Sequence, residues 1–281
     1  MNILDGKKTA RELESKIKEE VILLEKTYGR VPKLVVVLVG NNPASMAYVS
    51  SKEKASKRVG INGITLRLDE NILEEELLKV VDDLNKDDSV DGMIVQLPLP
   101  KHINSDVILN HIDSNKDVDG LSFINAGRLA NRQYGLLPAT PKGVMMLLDH
   151  YNVDYVGKHA VIVGASNLVG APMARLLMHR HATVTVCHSK TKDLASLTKL
   201  ADILVVATGV VNIINGEMVK DGVIVVDVGI NRVDGKIVGD VDFESVKEKA
   251  SLITPVPGGV GPMTINALMF NVLESFKNKH K

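Results

Sequence analysis

Tyr48 and Lys52 stand four residues apart in the stretch YVSSKEKA, with Lys54, Lys57 and Arg58 close behind. On a helix this spacing sets a phenol and an ammonium on neighbouring turns of one face, where both can reach a common ligand. Such a pair can serve proton transfer at a bound molecule. A basic stretch on a wet helix looks the same, because lysines are mostly exposed, and spacing alone does not separate the two readings.

A second constellation, VIVGASNLVGAPMA, reads as a strand, a tight turn and a helix start, with Gly164, Ser166 and Gly170 where a dinucleotide-binding turn uses small residues. Small residues there let backbone N–H groups approach a pyrophosphate at the positive end of a helix. The match to GxGxxG is imperfect, so a merely structural turn stays open. The next strand ends in VCHSKT, without the Asp or Glu that NAD enzymes use to hold the ribose diol. Ser189 and Lys190 can donate to a ribose 2′-phosphate, which favours NADP over NAD, although a solvent-facing Lys190 fits equally well.

Gln96 closes an apolar strand, Asp119 precedes Gly120 in KDVDGL, and PVPGGVGPMT sets glycines 258, 259 and 261 before a helix. A polar residue closing a strand often just satisfies backbone groups, and an aspartate before glycine is commonly a turn residue. Three glycines exceed what a helix entry needs and suit the close passage of a ligand. No metal site is expected: the single cysteine, Cys187, excludes a multi-cysteine zinc site, and His179 and His181 point to different helix faces.

The elements that must position these residues follow a βα rhythm. Helix from about Thr9 to Lys26, strand KLVVVLVG, helix from about Pro43 to Arg58, strand GITLRL, helix from about Glu74 to Asn85 and strand DGMIVQLPL make a first block. Asn42 can cap the second helix, with Pro43 at its first position. Tyr48 and Lys52 thus follow the carboxyl end of a strand, the edge where open α/β sheets bind ligands. The second block runs HAVIVGAS, a helix over about Val169–His179, TVTVCHS, a helix over about Lys192–Leu200, ILVVATG, GVIVVDVGI, a hairpin around Asp234-Gly235, and a last helix ending near Lys277. Between them FINAGRLANRQYGLLPATPKG is rich in Gly, Asn and Pro, which places the junction near Pro138–Pro141.

The chain has 281 residues, beyond the size at which single cores usually split, so two domains or one large α/β domain are expected. Lys+Arg and Asp+Glu balance at 34 each, which argues against a nucleic-acid or anionic-membrane partner. The amino-terminal stretch turns polar too early for a signal peptide, no apolar run reaches a membrane span, and one cysteine suits a reducing compartment, so a cytoplasmic protein is expected.

Taken in order, VGNNPASMAYVSSKEKASKRVGI, DGMIVQLPLP, KDVDGL, TPKGVMMLL, VIVGASNLVGAPMA, VDVGINR, GDVDF and TPVPGGVGPMT closely resemble the bifunctional methylenetetrahydrofolate dehydrogenase/methenyltetrahydrofolate cyclohydrolase family. The resemblance implies two α/β domains with an interdomain cleft: a folate-binding catalytic domain over 1–139 joined by the helix 262–281, and a Rossmann-like NADP-binding domain over 140–261. It implies a homodimer through the cofactor domain, and a folate substrate. By the same resemblance Lys52 is the central cyclohydrolase residue, Tyr48 lies against the folate, Gln96 bonds Lys52 and tunes its charge, and Asp119 holds the amino-substituted pterin ring. Pro257, Gly258 and Gly259 line the substrate, and Gly164, Ala165, Ser166, Ser189 and Ile230 match cofactor contacts, though Ile230 could equally be core. Two departures matter: several members carry Arg at the position of Ala165, where it helps bind the 2′-phosphate, and many read Pro-Cys-Thr-Pro where this chain has PATP, so no role rests on a thiol at Ala139.

A short-chain dehydrogenase also shows Tyr-x-x-x-Lys, but there the glycine-rich turn precedes the pair, whereas Gly164 lies far downstream of Lys52. A non-catalytic nucleotide-binding regulator would be expected to have lost Lys52 or Asp119, and both are present.

Overall fold

The computed structural model describes residues 2–280. In chain order the elements are β1 (Asn2–Ile3), α1 (Gly6–Tyr28), β2 (Lys33–Val39), α2 (Pro43–Val59), β3 (Asn62–Leu68), α3 (Glu74–Lys86), β4 (Gly92–Val95), α4 (Ser105–His111) and α5 (Phe123–Ala130). They continue with α6 (Ala139–His150), β5 (His159–Val163), α7 (Gly170–His179), β6 (Thr183–Cys187), α8 (Leu194–Thr198) and β7 (Ile203–Val206). The rest are β8 (Ile224–Asp227), β9 (Asn231–Val233), β10 (Lys236–Val238), α9 (Phe243–Val246), β11 (Leu252–Ile253) and α10 (Val260–Lys279). One compact unit holds Glu12–Ala139 and the chain from Ile265 onward; the other holds the chain through Arg11 and Thr140–Thr264.

In the first of these units a parallel sheet of order β3-β2-β4 has β2 at its centre, with Val36 opposite both Thr65 and Ile94. A central parallel strand is covered on both faces, which is why Leu34–Val39 is one unbroken apolar run. Side chains alternate between two cores. Leu34, Val36 and Leu38 pack with Ile17, Val21 and Leu24 of α1 and Leu268, Val272 and Phe276 of α10. Val35, Val37 and Val39 pack with Leu77 and Val81 of α3 and Ile108 and Leu109 of α4. Helix α2 starts as its sequence demands: Asn42 Oδ1 accepts from the N–H groups of Ala44 and Ser45 at 3.0 and 3.2 Å, with Pro43 in the first turn. It stops at Gly60, whose φ of +84° favours glycine.

The other unit carries a parallel sheet of order β1-β11-β8-β7-β5-β6. The chain leaves β5 through α7 to β6 on one side, then crosses to β7 on the other, so the strand order reverses at β5. Crevices that bind ligands form at such a reversal, outside the carboxyl ends of the strands. The core beneath is built from Val161, Val163, Leu204, Val206 and Val225. The β9–β10 hairpin pairs Val233 with Lys236 around Asp234 and Gly235, whose φ values of +49° and +76° suit a two-residue hairpin turn.

The structure departs from the sequence reading in two places. Residues up to Arg11, expected in the first domain, fold with the six-stranded sheet: β1 pairs in parallel with β11, and Leu4 N–H donates to Ile253 O at 2.9 Å. A strand of two residues carries no periodicity to detect. The Gly-, Asn- and Pro-rich segment is also more regular than expected, because it contains α5, capped by Ser122, and the start of α6. The boundary between the units falls between Ala139 and Thr140, inside the first turn of α6, where Pro141 breaks no helical hydrogen bond.

Candidate active site

Helix α2 buries Val49, Lys52, Ala55, Ser56 and Val59, so the lysine lies on the apolar face of its helix. Lys52 is only 8 % exposed, whereas Tyr48, one turn earlier, is 46 % exposed. Lys54, Lys57 and Arg58 sit on the exposed face, Arg58 pairing with Glu14 at 2.5 Å. The wet-helix reading therefore holds for Lys54, Lys57 and Arg58 and not for Lys52.

The cation of Lys52 needs a polar partner in this setting. Strand β4 supplies it by ending one residue before Gln96, whose N–H still donates to Val37 O at 2.9 Å. Lys52 Nζ donates to Gln96 Oε1 at 2.9 Å, and Gln96 Nε2 donates to Leu97 O at 2.8 Å. The second bond fixes which end of the amide faces the lysine. Burial holds the Lys52 pKa below the ordinary lysine range, with the negative charge of Asp119 opposing the shift.

In KDVDGL the three charged residues divide the work. Lys116 Nζ donates to the carbonyls of Leu84, Asn85 and Asp87 at 3.0, 2.7 and 2.8 Å, where the carboxyl end of α3 favours a cation. Asp117, not Asp119, is the turn carboxylate: it accepts from the N–H groups of Gly120, Leu121 and Ser122 and from Asn125 Nδ2. Asn271 of α10 donates to Val118 O at 2.7 Å and Leu137 O at 2.8 Å, tying the residue before Asp119 to the segment that leads into α6. Among the described residues no hydrogen bond ends on the Asp119 carboxylate. Burial raises its pKa, the Lys52 charge opposes this, and Asp117 adds to it. A partly buried carboxylate with open acceptor positions beside a buried lysine has the chemistry to receive N–H donors from outside the chain. The supporting roles of Lys116, Asp117 and Asn271 were not legible beforehand; the doubled aspartate in KDVDGL was the available signal.

An open hollow of about 530 Å³ in this unit is lined by Val39, Gly40, Asn42, Glu70, Pro98 and His102 among others, and none of Tyr48, Lys52, Gln96 or Asp119 lines it. The candidate site rests on the side-chain geometry instead.

In the unit with the six-stranded sheet, Gly164 follows β5 with φ +119°, and a Cβ there would lie 2.2 Å from Ala207 O, just beyond β7. A Cβ on Gly170 would lie 1.9 Å from Gly164 O. Strand, turn and helix are thus packed closely enough that side chains are excluded, which is the role of glycines in a dinucleotide-binding turn. Ala165 and Ser166 lie exposed in that turn, where Ser166 Oγ accepts from Val169 N–H at 3.2 Å. Ser189 and Lys190 are exposed just beyond β6. Ile230, which could have been core, is 50 % exposed beyond β8. The site residues at Pro257, Gly258 and Gly259 have a partly internal explanation. Gly258 has φ +111°, and a Cβ on Gly259 would lie 2.7 Å from Pro255 O and from the Thr254 side chain, while one on Gly6 would meet Gly259 O. Ligand passage is not needed to account for those two glycines.

The tetrahydrofolate dehydrogenase/cyclohydrolase catalytic domain matches residues 4–119, and the NAD(P)-binding domain of the same name matches 138–280. The chain belongs to the tetrahydrofolate dehydrogenase/cyclohydrolase family. It is 54% identical to the bifunctional protein FolD of Wolinella succinogenes over 282 residues, covering 100% of this chain and 99% of the relative. A crystal structure of the bifunctional enzyme FolD-methylenetetrahydrofolate dehydrogenase/cyclohydrolase from Campylobacter jejuni is similar with a TM-score of 0.97 and 55% identity over 99% of both chains. The methylenetetrahydrofolate dehydrogenase-cyclohydrolase of Trypanosoma brucei, solved with NADP and an inhibitor, gives 0.94 at 38% identity, covering 99% of this chain and 97% of the other. Tyr48 and Lys52 fall within the matched catalytic domain and Gly164–Gly170 within the matched NAD(P)-binding domain, and the short-chain dehydrogenase alternative falls away.

Proposed function

We propose that Lys52, held by Gln96, is the proton-handling group of a bifunctional enzyme that oxidises 5,10-methylenetetrahydrofolate with NADP and hydrolyses the resulting methenyl compound to 10-formyltetrahydrofolate. The observation that carries the reading is the buried Lys52 with its single amide partner beside the Asp119 carboxylate.

The first reaction removes a hydride from a carbon between two nitrogens and leaves a resonance-stabilised cation. It loses no hydroxyl proton and needs alignment more than a base. Bound NADP supplies the hydride acceptor. Gly164, Ala165 and Ser166 would hold its pyrophosphate, Ser189 its ribose phosphate and Ile230 its ring, and the glycine-lined turn at the strand-order reversal fits such a group. Asp119 takes the amino-pterin N–H donors on its open oxygens, and the exposed Tyr48 ring covers the folate. Pro257, Gly258 and Gly259 border the substrate.

The second reaction moves protons. Neutral Lys52 accepts one from the water that adds to the methenyl carbon, the ammonium so formed gives it to the departing ring nitrogen, and the hydroxyl proton of the adduct leaves to solvent as the formyl carbonyl forms. Gln96 Oε1 accepts from Lys52 in either charge state, which keeps the lone pair or third proton aimed away from the amide. A lowered pKa is what such a base requires, since an ordinary lysine is fully protonated at neutral pH.

We further infer a homodimer assembled through the nucleotide unit, working in the cytoplasm in one-carbon metabolism that feeds purine synthesis. The dimer reading is supported by β6, which ends the sheet with one edge unpaired and Val186 39 % exposed. No helix among the described residues is long and apolar enough to cross a membrane. The test of the activity is a spectroscopic assay of purified protein with each folate. Methylenetetrahydrofolate-dependent reduction of NADP and loss of the methenyl compound are expected, and absence of folate-dependent NADP reduction contradicts the dehydrogenase assignment.

A further inference from the structure

The motifs VDVGINR and GDVDF place two buried aspartates, Asp227 and Asp240, in the nucleotide unit, 4 % and 0 % exposed. Neither is used by the chemistry above. Each grips the loop that carries the other. Asp227 accepts from Gly229 N–H at 2.9 Å, Asp240 N–H at 3.1 Å and Val241 N–H at 2.9 Å. Asp240 Oδ2 accepts from Thr208 N–H at 2.6 Å, Thr208 Oγ at 2.9 Å and Gly209 N–H at 2.9 Å, and Oδ1 accepts from Asn231 Nδ2 at 2.8 Å. The fit is reciprocal and leaves no room: a Cβ on Gly229 would lie 2.1 Å from Asp240 Oδ1, and a Cβ on Gly239 would lie 1.8 Å from Asp227 Oδ2.

The loops gripped are those that leave the carboxyl ends of β7 and β8, the edge at which Gly164 rests on Ala207. Contacts therefore run from the β5 turn through Ala207, Thr208 and Gly209 to Asp240, and from Asp240 to the stretch Gly229–Asn231 that presents Ile230. The groups hydrogen-bonded to the Asp240 carboxylate are all donors, and the like charge nearby is Asp227. Four hydrogens converge on two oxygens, so a carboxylate satisfies them and an amide, with two hydrogens of its own, does not. Burial and the nearby Asp240 charge lift the Asp227 pKa to about 6, against three backbone N–H bonds that favour the carboxylate.

We propose that Asp240 is a positioning residue for the nucleotide: it fixes the β7 and β8 loops in the shape that binds NADP, and touches neither substrate nor cofactor. The proposal rests on the dehydrogenase reading and deepens it. Asp240→Asn is expected to weaken NADP binding about tenfold, in equilibrium titration and in KM, since bonds to a charged acceptor are lost. Hydrolysis of methenyltetrahydrofolate should stay within about twofold of wild type, because its groups lie in the other unit. A folded Asp240→Asn protein with unchanged NADP affinity overturns the proposal, as does one whose hydrolysis falls in step with NADP binding. Should that variant not fold, Asn231→Ala removes a single donor and is expected to weaken NADP about threefold; unchanged affinity overturns the proposal. Wild-type NADP reduction is measured alongside, and its failure would count against the dehydrogenase reading rather than against Asp240.

Discussion

Lys52 Nζ lies 2.9 Å from Gln96 Oε1, and the other end of that amide is fixed on Leu97 O. The lysine thus faces a neutral acceptor, which opposes the loss of its proton less than a charged one does. A carboxylate at the same place would oppose it more strongly.

Gln96→Glu is therefore expected to raise the Lys52 pKa, since an opposite charge at this range stabilises the ammonium. Hydrolysis of methenyltetrahydrofolate at neutral pH should fall about ten- to hundredfold, and the alkaline rise of its pH–rate profile should move to higher pH. The measurement is that profile. A profile that keeps its position would remove Gln96 from the control of the lysine.

Asp119 presents acceptors that the chain itself leaves open. Asp119→Asn keeps the shape but replaces an acceptor with a donor, and is expected to raise KM for both folates about ten- to hundredfold, the worth of a charge-assisted pair. NADP affinity should not change. Steady-state kinetics with each folate and an NADP titration check this, and a large loss of NADP affinity would mean that Asp119 has another role.

The lowered pKa of Lys52 has a sign in stability. The folded chain binds fewer protons than the unfolded one between the folded value and the ordinary lysine value of about 10.4. Stability from this group therefore rises with pH across that window, and below it the buried charge costs stability. Lys52→Met is expected to raise Tm by about 2–4 °C at neutral pH, corresponding to about 1 kcal/mol, with a smaller gain near pH 10. Thermal unfolding at several pH values measures it.

Gly164 combines a positive φ with a neighbouring carbonyl where a Cβ would stand. Gly164→Ala is expected to cost about 2–4 kcal/mol and to abolish NADP binding at any concentration near the wild-type Kd. Denaturant unfolding and nucleotide titration report the two effects separately.

Much of this was legible because the physics is local. The Val-rich run 34–39 needed only the rule for doubly covered strands, and Asn42-Pro43 announced the start of α2 by its own capping chemistry. Motifs that specify a family carried Lys52, Gln96 and Asp119. The rest depends on partners distant in sequence. Whether Lys52 or Lys54 turns inward is decided by what α2 packs against, and which aspartate of KDVDGL holds the turn is decided by Ser122 and Asn125. The two-residue strand β1 exists only because β11 offers it an edge, and the glycines of PVPGGVGPMT are explained in part by Thr254, Pro255 and Gly6.

The central claim is that Lys52 serves the hydrolytic reaction, and Lys52→Gln tests it most directly. With both rates followed spectroscopically, hydrolysis of methenyltetrahydrofolate should fall by about 10²–10⁴-fold while methylenetetrahydrofolate-dependent NADP reduction persists. Hydrolysis left intact in that variant would contradict the role given to Lys52.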